Sequence, residues 1–168
     1  IGGSERFESV AKALAMVKDD IDLVAVHDAV RCCLTEKWVN DVFALAGKTG
    51  AAMLASPVVA TLKKVADGKI TETVDRRGLY EAQTPQVFKK DMLLKAYANL
   101  EKLDKSKICD DSQLVEALGE KVSIVETDFS NIKITTKADI AIAEAIIKSR
   151  SQDKPKGYVG PYGNEAQW

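Results

Sequence analysis

This sequence has few cysteines, a single histidine and almost no net charge. The three cysteines, Cys32, Cys33 and Cys109, form no Cys-x-x-Cys pair, which argues against a zinc site and against a disulfide framework. Lys and Arg total 24 against 25 Asp and Glu, whereas a dedicated nucleic-acid-binding protein usually has a basic excess. No apolar run is long enough to span a bilayer. These absences predict a cytoplasmic protein that binds neither nucleic acid nor membrane.

The groups needed for nucleophilic catalysis are missing as well. There is no Gly-x-Ser-x-Gly motif, no cysteine with an evident base, and His27 is the only histidine. We expect His27 to be a packed or surface imidazole rather than a general base. Positioning of a substrate and stabilisation of its charge fit the composition better, as in phosphoryl-type transfers.

What the sequence does contain is a regular alternation of helical and strand patterns. Its 168 residues, 46% apolar and 29% charged, suit one globular domain. Short apolar runs at 23–26 and 51–55 are typical of buried strands, and segments with helical spacing lie between such runs. This alternation predicts an α/β fold with a mostly parallel sheet and helices on both faces. Helices are expected to begin near Ser4, Thr35, Lys90, Asp111 and Thr136, the second of them ending at Gly47, with further strands at 121–125 and 132–134.

The two ends of the chain differ from this body. We expect one domain over residues 1–148, followed by a tail over 149–168 that is poorly ordered or docks late, because it holds three glycines and two prolines. The sequence begins Ile-Gly-Gly without a methionine, and we expect that this is not a natural N-terminus.

Residues 57–79 predict a projecting β-hairpin arm. Two β-prone segments, 61–65 and 70–74, flank Asp67-Gly68, a dipeptide that favours a tight hairpin turn. Both segments carry several polar residues, and an isolated hairpin is only marginally stable in water. The arm is therefore expected to pack on another surface, such as a second subunit.

Two charged residues are predicted at the edge of the sheet where α/β proteins bind ligands. Asp28 follows the strand at 23–26, so its carboxylate could hold Mg²⁺ or a sugar hydroxyl, or could simply cap the turn. Lys133 lies between Ile132 and Ile134, so its ammonium could contact a phosphate or lie on an exposed strand edge.

Two further segments carry groups suited to anions. In residues 73–86, Arg76, Thr84 and Gln86 could face one anionic ligand, although a surface turn followed by a short strand explains the same pattern. Gly2-Gly3 before a helix offers free N–H groups to an anion, but is also a common plain cap. Ser9 could join them if a ligand lay over the start of the helix.

Six short motifs follow one another along residues 2 to about 147. They are Gly-Gly-Ser-Glu-Arg at 2–6, Val-His-Asp-Ala-Val-Arg at 26–31, Pro-Val-Val-Ala-Thr-Leu-Lys at 57–63, Thr-Val-Asp-Arg-Arg-Gly-Leu-Tyr-Glu-Ala-Gln-Thr-Pro-Gln at 73–86, Cys-Asp-Asp-Ser at 109–112 and Asn-Ile-Lys-Ile-Thr-Thr at 131–136. In order and spacing, these motifs resemble the 2-C-methyl-D-erythritol 4-phosphate cytidylyltransferase family. That family couples CTP to methylerythritol phosphate, releases pyrophosphate, and serves non-mevalonate isoprenoid synthesis.

The resemblance implies a Rossmann-like nucleotidyltransferase sheet, a homodimer joined through the arm, CTP as a substrate and Mg²⁺ as the metal. Arg76 and Lys133 would hold the sugar phosphate for attack on the α-phosphorus of CTP. Asp28 and Thr84 would bind the substrate, and Asp28 is also the candidate metal ligand. Thr61 would reach in from the arm of the partner subunit. The remaining implied contacts are a cavity-lining Arg31 and a cytidine-binding group of Gly2, Gly3 and Ser9.

Some family features are absent or altered. The family begins with a Pro-Ala-Ala-Gly loop and a downstream lysine that grip the triphosphate, so a chain truly beginning at Ile1 is expected to give no cytidylyl transfer. Ala60 and Cys32 stand where the family often has Asp and Pro. Two alternatives stay open: a pentitol (ribitol) 5-phosphate cytidylyltransferase, against which the motif at 74–79 argues, and a non-catalytic nucleotide-binding or dimerisation module.

Overall fold

The computed structural model describes residues 2–152, so most of the expected tail lies outside the described part. Within it, helices and strands alternate as the hydrophobic pattern predicts. The helices are α1 (Arg6–Leu14), α2 (Glu36–Thr49), α3 (Lys90–Ala98), α4 (Asp111–Glu116) and α5 (Lys137–Gln152), with short 3₁₀ turns at Leu100–Lys102 and Lys105–Lys107. The strands are β1 (Leu23–Val26), β2 (Ala51–Pro57), β3 (Leu62–Ala66), β4 (Lys69–Val74), β5 (Tyr80–Lys89) and β6 (Ser123–Glu126).

Four strands form the central sheet, in the order β1-β5-β2-β6. Strands β1, β2 and β6 run in one direction, as expected, while β5 runs antiparallel between β1 and β2. The arm explains this reversal. The chain leaves the sheet at Pro57, passes through the arm, and returns at Tyr80, which pairs directly with Pro57.

Successive residues of the central strands face opposite sides of the sheet and build two cores. Ala51 and Phe88 pack with α1, α3 and α4 on one side, whereas Ala52 and Val87 pack with α2 on the other. The expectation of helices on both faces is confirmed.

Caps and breakers set most helix ends, with three corrections to the sequence-based expectations. Thr35 caps α2 as predicted, accepting from Trp38 N–H at 3.3 Å. However, α2 continues past Gly47 to Thr49, and its C-terminal cap is Gly50, whose φ of 94° favours glycine. Ser4 is not the cap of α1, because its N–H and hydroxyl both donate to the Glu8 carboxylate.

The third correction concerns residues 132–134, which the pattern predicts as a strand and which are not one. This segment is held instead by isolated hydrogen bonds, such as the one from Ile134 N–H to the Val30 carbonyl (3.0 Å).

The arm forms a separate two-stranded sheet of β3 and β4, as predicted. Asp67 and Gly68 make the turn with φ values of 50° and 74°, the left-handed conformation that a tight hairpin requires. Val65 and Ile70 remain 60% and 65% exposed on it. None of the helices in residues 2–152 combines the length and the apolar character needed to cross a membrane.

Candidate active site

A polar cavity of about 260 Å³ opens beyond the end of β1, against the middle of β5. Five segments that are distant in sequence contribute to its wall: the start of α1, the turn after β1, β5, the residues before α4 and the loop after β6. The lining residues are Arg6, Asp28, Arg31, Ala82, Gln83, Thr84, Gln86, Cys109, Asp110 and Lys133. Five of the residues predicted from the sequence, Asp28, Arg31, Thr84, Gln86 and Lys133, therefore meet here.

Asp28 is the electrostatic centre of the cavity. Its Oδ2 lies 3.1 Å from Lys133 Nζ and 3.5 Å from Arg31 Nε. Burial by itself would raise the pKa of Asp28, but the hydrogen bond and charge of Lys133, followed by the charges of Arg31 and Arg6, lower that pKa below its usual value. Asp28 therefore carries a negative charge that holds two cations at the rim.

The turn after β1 sets this geometry. Arg31 N–H donates to the Asp28 carbonyl at 2.9 Å, which folds the guanidinium back over the carboxylate. Arg31 Nη1 also donates to the Asn131 carbonyl at 2.7 Å. Ile134 N–H donates a hydrogen bond to the Val30 carbonyl. The loop that carries Lys133 is therefore attached to this turn on both sides of the lysine, at Asn131 and at Ile134.

Thr84 forms the floor of the cavity and is only 5% exposed. Its Oγ1 accepts from Asp28 N–H at 3.0 Å and contacts His27 Nδ1 at 3.0 Å. Thr84 thus connects the Asp28 turn to β5. His27 is expected from the sequence to be a plain packed or surface side chain, and its contact with Thr84 brings it next to the cavity.

Buried amides, which the sequence-based prediction missed, hold the Lys133 loop. Gln83 Oε1 accepts from Thr127 Oγ1 and from Asn131 Nδ2, both at 2.8 Å. Asn131 Nδ2 also donates to the Thr84 carbonyl at 3.1 Å. Asn131 begins the Asn-Ile-Lys motif, so its position in that motif was the available signal. Gln83 had no signal beyond its place before Thr84.

Gln86, predicted to face an anionic ligand, is instead committed to the protein. It is 1% exposed, and its Oε1 accepts from the N–H groups of Asp111 (3.1 Å) and Ser112 (3.0 Å). Its Nε2 donates to Asp110 Oδ2 at 2.8 Å. Gln86 therefore fixes the start of α4 against β5 and contributes to the wall rather than to the open space.

Thr61 and Arg76 are not among the residues that line this cavity. Both are exposed near the base of the arm, and the Arg76 guanidinium donates to the Val59 carbonyl. In the single chain, over residues 2–152, Thr61 and Arg76 do not join Asp28 and Lys133 in this cavity.

Gly2, Gly3 and Ser9 lie together at the start of α1. Gly3 N–H donates to Ser9 Oγ at 2.9 Å, and a Cβ on Gly2 would lie 2.9 Å from the same oxygen. Ser9 lines a second, mostly apolar cavity of about 370 Å³ between α1 and β1, which ends at His27. His27 therefore links this cavity to the Thr84 floor of the first.

The cavity offers Mg²⁺ one uncommitted carboxylate, because both oxygens of Asp110 already accept hydrogen bonds, from Gln86 Nε2 and Gln113 N–H. No group of three or more His, Cys, Asp or Glu side chains within residues 2–152 is arranged to hold a metal. The carboxylate is that of Asp28, whose Oδ1 has no hydrogen bond or ion pair within that range. A single available carboxylate suits Mg²⁺, which commonly takes one or two carboxylates and completes its shell with phosphates and water.

The fold and the cavity define a class of protein: a nucleotidyltransferase with a Rossmann-like α/β sheet, the class of the solved structures that it matches. The profile of 2-C-methyl-D-erythritol 4-phosphate cytidylyltransferase matches residues 1–149, and the chain belongs to this family.

Named relatives agree with this assignment. A 2-C-methyl-D-erythritol 4-phosphate cytidylyltransferase of Endomicrobium trichonymphae is 50% identical over 149 residues, covering 88% of this chain and 67% of the relative. One from Bacillus mycoides is 43% identical, covering 87% and 64%. The crystal structure of the Thermus thermophilus enzyme superimposes with a TM-score of 0.80 at 35% identity, covering 88% and 71%. The chain thus spans about two thirds of the length of its curated relatives, and the resemblance and fold class expected from the sequence are confirmed.

Proposed function

We propose that this chain serves cytidylyl transfer from CTP to 2-C-methyl-D-erythritol 4-phosphate, giving 4-diphosphocytidyl-2-C-methyl-D-erythritol and pyrophosphate. The observation that carries the proposal is the Lys133–Asp28–Arg31 cluster over Thr84. Its members come from segments that each contain a motif of the family. The unpaired state of the three cysteines fits the cytoplasmic location expected from the sequence, which stays a prediction.

The chemistry asks the protein to position two anions rather than to supply a base. An oxygen of the sugar phosphate is already charged, so it attacks the α-phosphorus of CTP without losing a proton. A new P–O bond forms while the bond to the β-phosphate oxygen breaks, and pyrophosphate leaves with that electron pair. Side chains that hold the phosphates in line and offset their charge are therefore sufficient.

Lys133 is the residue best placed to receive the sugar phosphate. Its side chain is 45% exposed while its ammonium touches Asp28, so the ammonium can turn from the carboxylate towards an incoming dianion. Thr84 and Arg31 would fix the substrate beside it. Asp28 would bind a substrate hydroxyl or, with the CTP phosphates, Mg²⁺. When bound, that ion would neutralise phosphate charge.

Gly2, Gly3 and Ser9 would contact the cytidine. Ser9 lines the second cavity and accepts a hydrogen bond from Gly3 N–H, and that cavity adjoins the first through His27. An extended nucleotide that spans both cavities would place its phosphates towards Asp28.

The arm would complete the site in a homodimer. Arg76 and Thr61 lie on a hairpin that leaves Val65 and Ile70 exposed, as expected of a surface that another subunit covers. In this arrangement Thr61 and Arg76 act on the sugar phosphate held by the partner's cavity.

Pyrophosphate release in the presence of CTP, Mg²⁺ and methylerythritol phosphate tests the reaction. Lys133→Met is expected to lower kcat/KM by roughly 10²–10³-fold, the effect of removing one group that stabilises developing charge. Lys148→Met is the matched control, since Lys148 is an exposed lysine paired with Glu144 on α5. Measurable turnover by the unaltered chain that is matched by Lys133→Met would contradict the assignment.

Two parallel assays address the alternatives. Faster turnover with ribitol 5-phosphate than with methylerythritol phosphate would favour a pentitol-phosphate enzyme. Calorimetric binding of CTP with Mg²⁺ but without turnover would favour a nucleotide-binding module.

A further inference from the structure

Arg6 lines the cavity, yet neither the sequence motifs nor the proposed mechanism gives it a task. It is the first residue of α1, and its side chain remains 38% exposed. Its Nη2 lies 2.7 Å from Asp111 Oδ2. No other acceptor within residues 2–152 takes a hydrogen bond from the guanidinium. One nitrogen of the group is therefore held by an ion pair with Asp111, and Arg6 is among the residues that line the cavity.

Asp111, the ion-pair partner of Arg6, is itself held in place by several contacts. Its residue is 0% exposed, and its Oδ1 accepts from Tyr97 OH at 2.5 Å. Its backbone N–H donates to Gln86 Oε1, which ties it to β5. Burial, followed by the hydrogen bond to the Asp111 carboxylate, raises the pKa of Tyr97, so its hydroxyl remains a donor. Three elements thus hold a single carboxylate in register with Arg6.

The need to neutralise the buried Asp111 charge explains why residue 6 is a cation, but it does not explain why that cation is an arginine. A buried carboxylate needs one cationic partner, and a lysine would supply it. An arginine presents a planar fork of five N–H donors, of which Asp111 uses one edge. The other cavity cations, Arg31 and Lys133, are already drawn to Asp28. Arg6 differs from them, because its carboxylate partner, Asp111, is buried and does not line the cavity.

We propose that Arg6 is a substrate-binding residue that donates to a phosphate oxygen in this cavity through the guanidinium edge not engaged by Asp111. The inference rests on the proposed function, because it takes the ligand to be a phosphate ester. It gives the cavity three anion-binding cations from three segments: Arg6 from α1, Arg31 from the turn after β1, and Lys133 from the loop after β6. Asp111, Tyr97 and Gln86 act on the ligand only by positioning Arg6.

Titration calorimetry of the full chain with methylerythritol phosphate and with CTP tests this. Arg6→Lys preserves a cation beside Asp111 but cannot offer a second edge. We expect its unfolding midpoint to stay close to that of the unaltered chain, and its affinity for at least one of the two ligands to fall roughly tenfold to a hundredfold, the range for a lost charge-assisted hydrogen bond. Lys37→Met removes one positive charge from the exposed face of α2 and should leave both affinities unchanged.

A double variant separates binding from stability. Arg6→Met leaves the Asp111 charge buried and unpaired, so it is expected to lower the unfolding midpoint strongly. Arg6→Met combined with Asp111→Asn removes that charge and should recover most of the midpoint, while the affinity stays as low as in Arg6→Lys. Recovery of affinity together with stability, or unaltered affinity in Arg6→Lys, would show that Arg6 only stabilises the fold. If the unaltered chain bound neither ligand, the proposed function would fall along with this inference.

Discussion

The cavity and the arm are built on opposite plans, although both carry residues that the family resemblance assigns to one site. In the cavity, Asp28 and Thr84 are bonded to each other and to segments up to about a hundred residues away. In the arm, the partners are local. The two strands pair with each other, Lys64 meets Glu72 across the hairpin, and Arg77 meets Asp75 two residues before it.

This difference distinguishes the cavity, which a single chain forms, from the arm, which a single chain leaves unpacked. The cavity positions its groups through buried hydrogen bonds, so its geometry follows from the fold of a single chain. The arm has no such network, and its apolar side chains remain exposed. We therefore propose that the arm supplies residues to a site that a single chain does not assemble. The following predictions test this division, beginning with the largest expected effect.

Stability should depend on the body and hardly on the arm. Leu54 is 0% exposed in the core beneath α2, and Leu54→Ala is expected to cost about 2–5 kcal/mol of unfolding free energy through lost burial and a cavity. Val65→Ala on the arm, where the side chain is 60% exposed, should change it by less than about 0.5 kcal/mol. Urea unfolding monitored by circular dichroism measures both, and a large loss in Val65→Ala would show that the arm is part of the same core.

The buried amide network should couple stability to the site. Gln83→Met is expected to cost about 1–3 kcal/mol, because it leaves the Thr127 hydroxyl and the Asn131 amide without their shared acceptor. It should also raise KM for the sugar phosphate, since Asn131 begins the loop that carries Lys133. Gln113→Met, which removes an acceptor for Cys109 N–H at the exposed rim, is the control. An unaltered KM in Gln83→Met would show that the loop keeps its position without the network.

The features that could be predicted from the sequence are those set by neighbouring residues. The Leu23–Val26 strand, the Thr35 cap and the Asp67-Gly68 turn each depend on a short stretch of chain, and all three are present. The prediction that α2 ends at Gly47 is wrong, because a glycine can be tolerated inside a helix whose packing is favourable, and a second glycine, Gly50, provides the cap.

Contacts between distant segments could not be predicted in this way. The antiparallel direction of β5 depends on where the arm returns the chain, and the loss of the expected strand at 132–134 follows from pairing with the turn at Val30. Arg6 and Asp111 each lie in a recognised motif, but neither motif states that the two side chains meet. Motifs thus located most of the cavity residues, whereas the hydrogen bonds that position them required the fold.

Exchange between subunits is the most direct test of the arm. Arg76→Ala should leave the unfolding free energy within about 0.5 kcal/mol, because Arg76 is exposed. If the arm acts in the partner's cavity, mixing inactive Arg76→Ala and Lys133→Met chains should restore up to about a quarter of the unaltered turnover, since half of the randomly formed dimers contain one intact site. No recovery in a mixture shown by native mass spectrometry to contain heterodimers would place Arg76 in its own chain's site.

The smallest effect compares two exposed carboxylates, one on each part. Backbone N–H donation from Thr135 and Thr136 lowers the pKa of Asp139, in the first turn of α5, from 3.8 to about 2. On the arm, the side-chain hydrogen bond from Arg77 lowers the pKa of Asp75. Because both folded pKa values lie below the ordinary one, the stabilisation is fully present above about pH 4 and is lost as the pH falls through each folded value.

Salt should separate the two carboxylates. The Asp75–Arg77 pair is exposed, and added salt of about 1 M shortens the screening length to about 3 Å, so the pKa of Asp75 should move back towards its ordinary value. Asp139 is bonded to fixed backbone groups, so its pKa should stay near 2. Carboxyl NMR titrations at low and high salt measure both. If Asp75 kept its low pKa at high salt while Asp139 lost its own, the arm would be the more firmly structured of the two regions, and the division between a self-sufficient body and an open arm would be wrong.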